Sequence, residues 1–311
     1  MHYSMASLHI PDGFLSVAVS VTFWATSVVL IWLATRHTES NFGERQIPLM
    51  GVMAAFIFAA QMINFPVAGG TSGHFLGGAL AAMVLGPWAG ILVMTAVIAL
   101  QALLFQDGGL LVMGANIFNM GILTAACGYG LYRLAGRWPR SWRMGMAGVA
   151  AWLSTVTSAL VTALQLWLSG TSPLGLVMPA MLGVHVLIGI GEAVVTVAAL
   201  GLIERTRPDI ANPEKTTQSA GWGWAVAGGL FALGTVLLAP FASADPDGLE
   251  AVAEQLGFVS QGQAAPFAIL PDYTLPVLGD GAASTMGAGV AGVIVLGLVF
   301  FAVGKLVAKK R

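Results

Sequence analysis

Long apolar stretches separated by brief polar punctuation run through almost the whole chain, at about 14–35, 47–64, 75–86, 88–105, 110–132, 145–169, 177–203, 220–242 and 284–304. About 20 apolar residues cross a bilayer core of roughly 30 Å as a helix, so this pattern predicts an all-α polytopic membrane protein with nine crossings. The third run is short, and only Gly86-Pro87 separates it from the fourth. That helix-breaking pair predicts a hairpin turning at or near one membrane face.

The polar punctuation sets the orientation. Arg36 and Arg45 follow the first run, Arg133, Arg137, Arg140 and Arg143 the fifth, and Arg205, Arg207 and Lys215 the seventh, while Lys305, Lys309, Lys310 and Arg311 end the chain. These are all 13 basic residues, and nine crossings with the N-terminus outside place every one on the cytoplasmic side, as the positive-inside rule requires. The expected outer face holds His9, Asp12, the 65–74 bend, Asp107 and the loop 243–283 with its six acidic and no basic residues. That field either concentrates cations or serves solvation alone. The polar stretch 206–219 reads as a cytoplasmic linker between a seven-helix body and a two-helix tail.

Composition agrees: 57% hydrophobic, 9% charged and a mean hydropathy of +0.84. The 40 glycines suit helices that approach closely in lipid. Cys127, the single cysteine, lies in an apolar run and reads as packing. The N-terminus carries no basic region, and the first run is long enough to span, so no cleavable signal is expected.

Candidate chemistry rests on histidine. His9 in LHIPDGFL and His74 in FPVAGGTSGHFLGG share the expected outer face, each beside glycine or proline, and two imidazoles there suit a borderline metal ion such as nickel or cobalt. A structural role for each ring stands as the alternative. Asn64, Thr71, Ser72 and Asn116 are the candidates for supporting the pocket; Asn64, Gln101, Asn116 and Asn119 can satisfy one another or the bend around His74. His185 and Glu192, seven apart in the seventh run, fall on one helix face, as a cation relay or a buried packing pair. His37 and His2 read as solvated or incidental. No P-loop, H-E-x-x-H or G-x-S-x-G occurs, so any ATP hydrolysis belongs to another chain and no catalytic residues are expected.

LHIPDGFL, GGTSGHFLGGALAAMVLGPWAG, QALLFQDGGLLVMGANIFNMG and HVLIGIGEA together resemble the substrate-binding membrane subunit of nickel and cobalt energy-coupling-factor transporters, the CbiM/NikM type. The tail, with PDGLE and APFAILPDYTLP before a last helix, resembles the small accessory subunit of the same transporters, here fused. The resemblance implies a metal-binding body over 8–205 and a PDGLE accessory domain over 220–311, with an outer loop 243–283 that helps load or gate the pocket. It implies Ni2+ or Co2+ as transported substrate, with no cofactor, and nickel favoured over cobalt for cobalamin synthesis. A transmembrane coupling subunit and cytoplasmic ATPases are the implied partners, with no nucleic acid, at the inner (cytoplasmic) membrane. The family's ligands are the terminal amine, the next backbone nitrogen and the imidazole of a Met-His start, plus the histidine of the GTSGH bend. Carried over, they fall on Leu8, His9 and His74. Here seven residues precede Leu8, so initiation at position 8 or processing after Ser7 would be needed to expose that amine. A membrane-embedded metalloenzyme built on His74, His185 and Glu192, or a passive metal channel, are the competing readings.

Overall fold

The computed structural model describes residues 9–41, 46–207 and 223–309. Most of the linker thus lies outside the described residues, as does Leu8. Helix α1 (Val17–Asn41) leads to α2 (Gln46–Gln61), then to a small antiparallel hairpin of β1 (Phe65–Val67) and β2 (Thr71–Gly73). Helices α3 (Gly78–Leu85) and α4 (Pro87–Leu100) flank the Gly86 turn, and α4 runs on as a π-helical stretch, Gln101–Phe105. A second interrupted helix comprises α5 (Met113–Asn116), a π-helical stretch Ile117–Leu123 and α6 (Thr124–Leu134). Helices α7 (Arg140–Leu168) and α8 (Leu174–Thr206) complete the body; α9 (Gly223–Val236), the short α10 (Gly248–Gln255) and α11 (Ala282–Lys309) form the tail.

Six helical stretches among the described residues are long and apolar enough to cross a membrane: Val17–Thr38, Pro87–Phe105, Arg140–Leu168, Leu174–Thr206, Gly223–Phe241 and Ala282–Lys305. Gln46–Gln61 is apolar but shorter. Their outward faces carry bare apolar side chains such as Val28, Trp32, Val194, Leu298 and Phe301, as membrane-spanning helices do.

The short third run has a physical explanation. At about 1.5 Å per residue, the eight residues of α3 reach roughly 12 Å, well under half the bilayer core. The backbone before α3, from Thr71 to Gly77, is non-helical, and every residue from Thr71 to Met83 is buried. Non-helical backbone survives at such depth only where protein supplies its hydrogen bonds. Glu192 of α8 accepts from the N–H groups of Leu76 (2.6 Å) and Gly77 (3.0 Å), and Gln61 Nε2 donates to Leu76 O (2.8 Å). The Gly86 turn lies at the opposite end, where Trp88 meets His37 at a ring-centroid distance of 5.4 Å.

The tail is packed into the body. A β-carbon on Gly292 of α11 would lie 2.2 Å from Phe58 Cζ of α2, so the ring of Phe58 lies against the α11 backbone through a glycine. Tyr273, in a turn of the 243–283 loop, stacks on Phe105 (centroids 4.7 Å, planes 13° apart), and Phe105 meets Phe58 at 5.3 Å. A second apolar cluster joins Ile10, Phe14 and Leu15 to Met181 of α8 and to Leu249, Val252 and Phe258 of the tail.

Candidate metal site

The two histidines singled out above come together: His9 and His74 lie edge to face with ring centroids 5.7 Å apart, 2% and 6% exposed. Each arrives by its own local device. His9 precedes an extended segment whose Ile10 is clamped by Asn116, with Ile10 N–H donating to Asn116 Oδ1 (3.1 Å) and Asn116 Nδ2 to Ile10 O (3.0 Å). Two residues on, the Asp12 carboxylate accepts from the N–H groups of Leu110, Leu111 and Val112 at 2.9–3.1 Å, tying the segment to the QDGG turn. That turn needs its glycines. Gly108 has φ of +93° and approaches His9 Cβ, and a β-carbon at Gly109 would sit 2.1 Å from Asp12 Oδ1.

His74 follows β2, whose Ser72 is held by the tail. Ser72 N–H donates to Pro246 O and Ser72 Oγ to Asp245 O, both at 2.8 Å. Thr71 is buried at the start of that strand, paired with Val67. Asn64 meets the tail too, its carbonyl accepting from Ser243 N–H at 2.8 Å. The polar amides do not satisfy one another. Asn119 bonds Gln165 and Thr162, Gln101 bonds Tyr273 (3.0 Å), and Asn116 holds Ile10.

Both rings rest on carboxylates that were not among the candidates. His9 Nδ1 lies 2.9 Å from Asp107 Oδ1, and His74 Nδ1 3.0 Å from Asp247 Oδ1. Burial works against charge on the His74 ring, and Asp247, with Asp107 and Glu192 behind it, acts in the opposite sense. Burial opposes ionised Asp107 as well, but His9 and a hydrogen bond from the Tyr273 hydroxyl hold its carboxyl below the usual range. Tyr273 itself is pushed well above an ordinary phenol, first by burial and then by Asp107. With Nδ1–H committed to Asp247, His74 turns Nε2 inward, buried and with no hydrogen-bond partner among the described residues. A carboxylate on one ring nitrogen and a free lone pair on the other is the usual state of a metal-ligating histidine.

His185 and Glu192 part company. His185 Nδ1–H bonds Met181 O of its own helix (2.8 Å), whereas Glu192 anchors the backbone beyond His74. Among the described residues no group of three or more His, Cys, Asp or Glu side chains is arranged to hold a metal ion.

The family described as "cobalt uptake substrate-specific transmembrane region" matches residues 9–210, and the PDGLE domain matches 222–309. The chain belongs to this cobalt-uptake family. An Archaeoglobus fulgidus protein with the provisional name fused nickel transport protein NikMN is 37% identical over 94% of this chain and 97% of its own. The fused nickel transport protein NikMN of Rhodobacter capsulatus is 33% identical over 67% of this chain and 65% of its own. The crystal structure of a truncated transition metal transporter, 33% identical, superposes with a TM-score of 0.57 over 64% of this chain and 99% of that one. Like other members of the cobalt-uptake family, the chain is a multi-pass membrane transport component and not an enzyme.

Proposed function

We propose that the chain takes up nickel or cobalt ions, binding one ion at its outer end through His9 and His74. The observation that carries this reading is the pair of buried imidazoles 5.7 Å apart, each with Nδ1 on a carboxylate. Nickel is the favoured substrate, because relatives that share the fused tail are named as nickel transport proteins. The remaining nitrogens are the His9 backbone nitrogen and a terminal amine at Leu8, in a chain beginning there. A ring that shares an ion with its own backbone nitrogen closes that chelate through Nδ1, so on this route the metal displaces Asp107 from His9. Asn116, Thr71, Ser72 and Asn64 support the pocket walls, and the N-terminus lies outside with the C-terminus in the cytoplasm. Transport energy comes from a separate coupling subunit and its ATPases at the cytoplasmic membrane.

The test is the metal content of purified protein after exposure to equal nickel and cobalt. We expect one bound ion per chain, mostly nickel, lost in His9→Ala and in His74→Ala. An empty wild-type chain, together with an empty chain begun with methionine at position 8, would overturn the assignment. Loss of binding in His185→Ala with His9→Ala unaffected would overturn it as well.

A further inference from the structure

Both carboxylates that hold the histidines answer to the fused tail. Asp247 belongs to the tail outright: it lies at the N-terminus of α10, is 4% exposed, and places Oδ1 3.0 Å from His74 Nδ1. It is not there by chance of a floppy loop. The backbone beside it is stitched to the body by Ser72 N–H to Pro246 O and Ser72 Oγ to Asp245 O, and Ser72 and Asp247 form an isolated parallel bridge. A β-carbon on the neighbouring Gly248 would come within 2.6 Å of Ile188 and 3.1 Å of His185, so α10 can seat this closely on α8 only through glycine. On the other side, Asp107 belongs to the body, yet its second oxygen receives the hydroxyl of Tyr273 from the tail. Tyr273 is 8% exposed, stacked on Phe105 and hydrogen-bonded by Gln101, which leaves its hydroxyl little choice of direction.

We infer that the tail builds part of the metal site: Asp247 is the positioning residue of His74, and Tyr273 restrains Asp107, the carboxylate that the ion must displace from His9 Nδ1. The inference rests on the metal reading above and extends it to residues that touch no ion. Asp247 fixes the ring of His74 with Nε2 inward and makes that nitrogen a stronger donor. Tyr273 fills one lone pair of Asp107 and so sets how firmly Asp107 grips His9. Without the tail, His74 loses the carboxylate that orients its ring. Carboxylates in this relation to a ligating histidine typically carry about 10–100-fold in metal affinity.

The experiment is nickel titration of the full chain in detergent by calorimetry, with the ligand-field absorption of the bound ion recorded alongside. Asp247→Asn is expected to bind nickel about 10–100-fold more weakly, with a shifted band, and Asp247→Glu to recover part of both. Tyr273→Phe removes one hydrogen bond to a carboxylate and is expected to lose about threefold to tenfold. Glu254→Gln, an exposed change in the same loop, is expected to match wild type. Limited proteolysis within 243–283 reports whether the tail stays docked. Wild-type affinity and band in both Asp247→Asn and Tyr273→Phe would overturn the inference. So would weakened binding accompanied by faster cleavage of that loop, which would reduce both residues to docking contacts. A wild-type chain and a chain begun with methionine at position 8 that both bind no nickel overturn the metal reading itself, and this inference with it, a result distinct from variants that merely match a binding wild type.

Discussion

Asn116 grips the backbone next to His9 by both edges of its amide, and an ionised carboxylate of the same size could not return both bonds. Asn116→Ala leaves Ile10 N–H and C=O buried without those partners, at about 1–3 kcal/mol for each unsatisfied group. The expected result is nickel affinity reduced about tenfold or more, with His74 and its partner Asp247 intact, read by calorimetry on the full chain. Wild-type affinity in Asn116→Ala would mean the clamp does not hold His9 for the ion. At this scale the histidines were legible in the sequence because imidazole is rare in so apolar a chain and two sit beside glycine or proline at the same predicted face. Asp107, Asp247 and Tyr273 were not. Acidic residues in an outer loop read as a diffuse field, and the partners of His74 and Asp107 lie 173 and 166 positions away. No local spacing announces such pairs.

Among elements, the dip of residues 74–77 into the body was half legible. The shortness of the third apolar run is plain in the sequence, but the buried non-helical backbone before it is not, because its hydrogen bonds come from Gln61 and Glu192 on other helices. Glu192 shows why spacing misled. A seven-residue interval does put it on the face of His185, yet each side chain finds its own buried partner, Glu192 in the dip and His185 in Met181 O. The short helix α10 carries a testable pH response. Burial, and then Glu254, push Glu250 in its first turn up to about 7, above the ordinary glutamate value. Between about 4.5 and about 7 the folded state therefore holds a proton that the unfolded state has lost, so folding stability is greatest below the lower value and declines as pH rises through the upper one. Glu250→Gln removes that decline. Compared with wild type, it is expected to resist cleavage of the loop 243–283 better at pH 8, with little difference at pH 5, and equal rates at both would remove Glu250 as the cause.

Over the whole molecule, the apolar runs and the placement of all 13 basic residues made the multi-pass character and the fused tail readable. The seating of the tail was not readable, since small residues in membrane helices look alike whether they face lipid or a neighbour. Gly292 is the contact that distinguishes the two. It brings α11 against Phe58 of α2, and Phe58 in turn abuts Phe105, on which Tyr273 stacks; the same tail carries Asp247. Any β-carbon at position 292 would have to move Phe58 or lift α11, an overpacking penalty of about 1–3 kcal/mol. Phe58 has little room to give, being 0% exposed. Gly292→Val should therefore disturb two places at once, lowering the thermal midpoint by several degrees, on the order of the shift expected for that penalty, and loosening the hold of the tail on His9 and His74 far from the substitution. A substitution at Gly297 of the same helix, where a β-carbon meets nothing within 4 Å, is the matched comparison and should leave both unchanged. If Gly292→Val lowers the midpoint but binds nickel as wild type does, the α11 contact stabilises the tail without setting the site. If both fall together while Gly297→Val behaves as wild type, helix packing in the tail and ion binding at the outer end are coupled through Phe58, Phe105 and Tyr273.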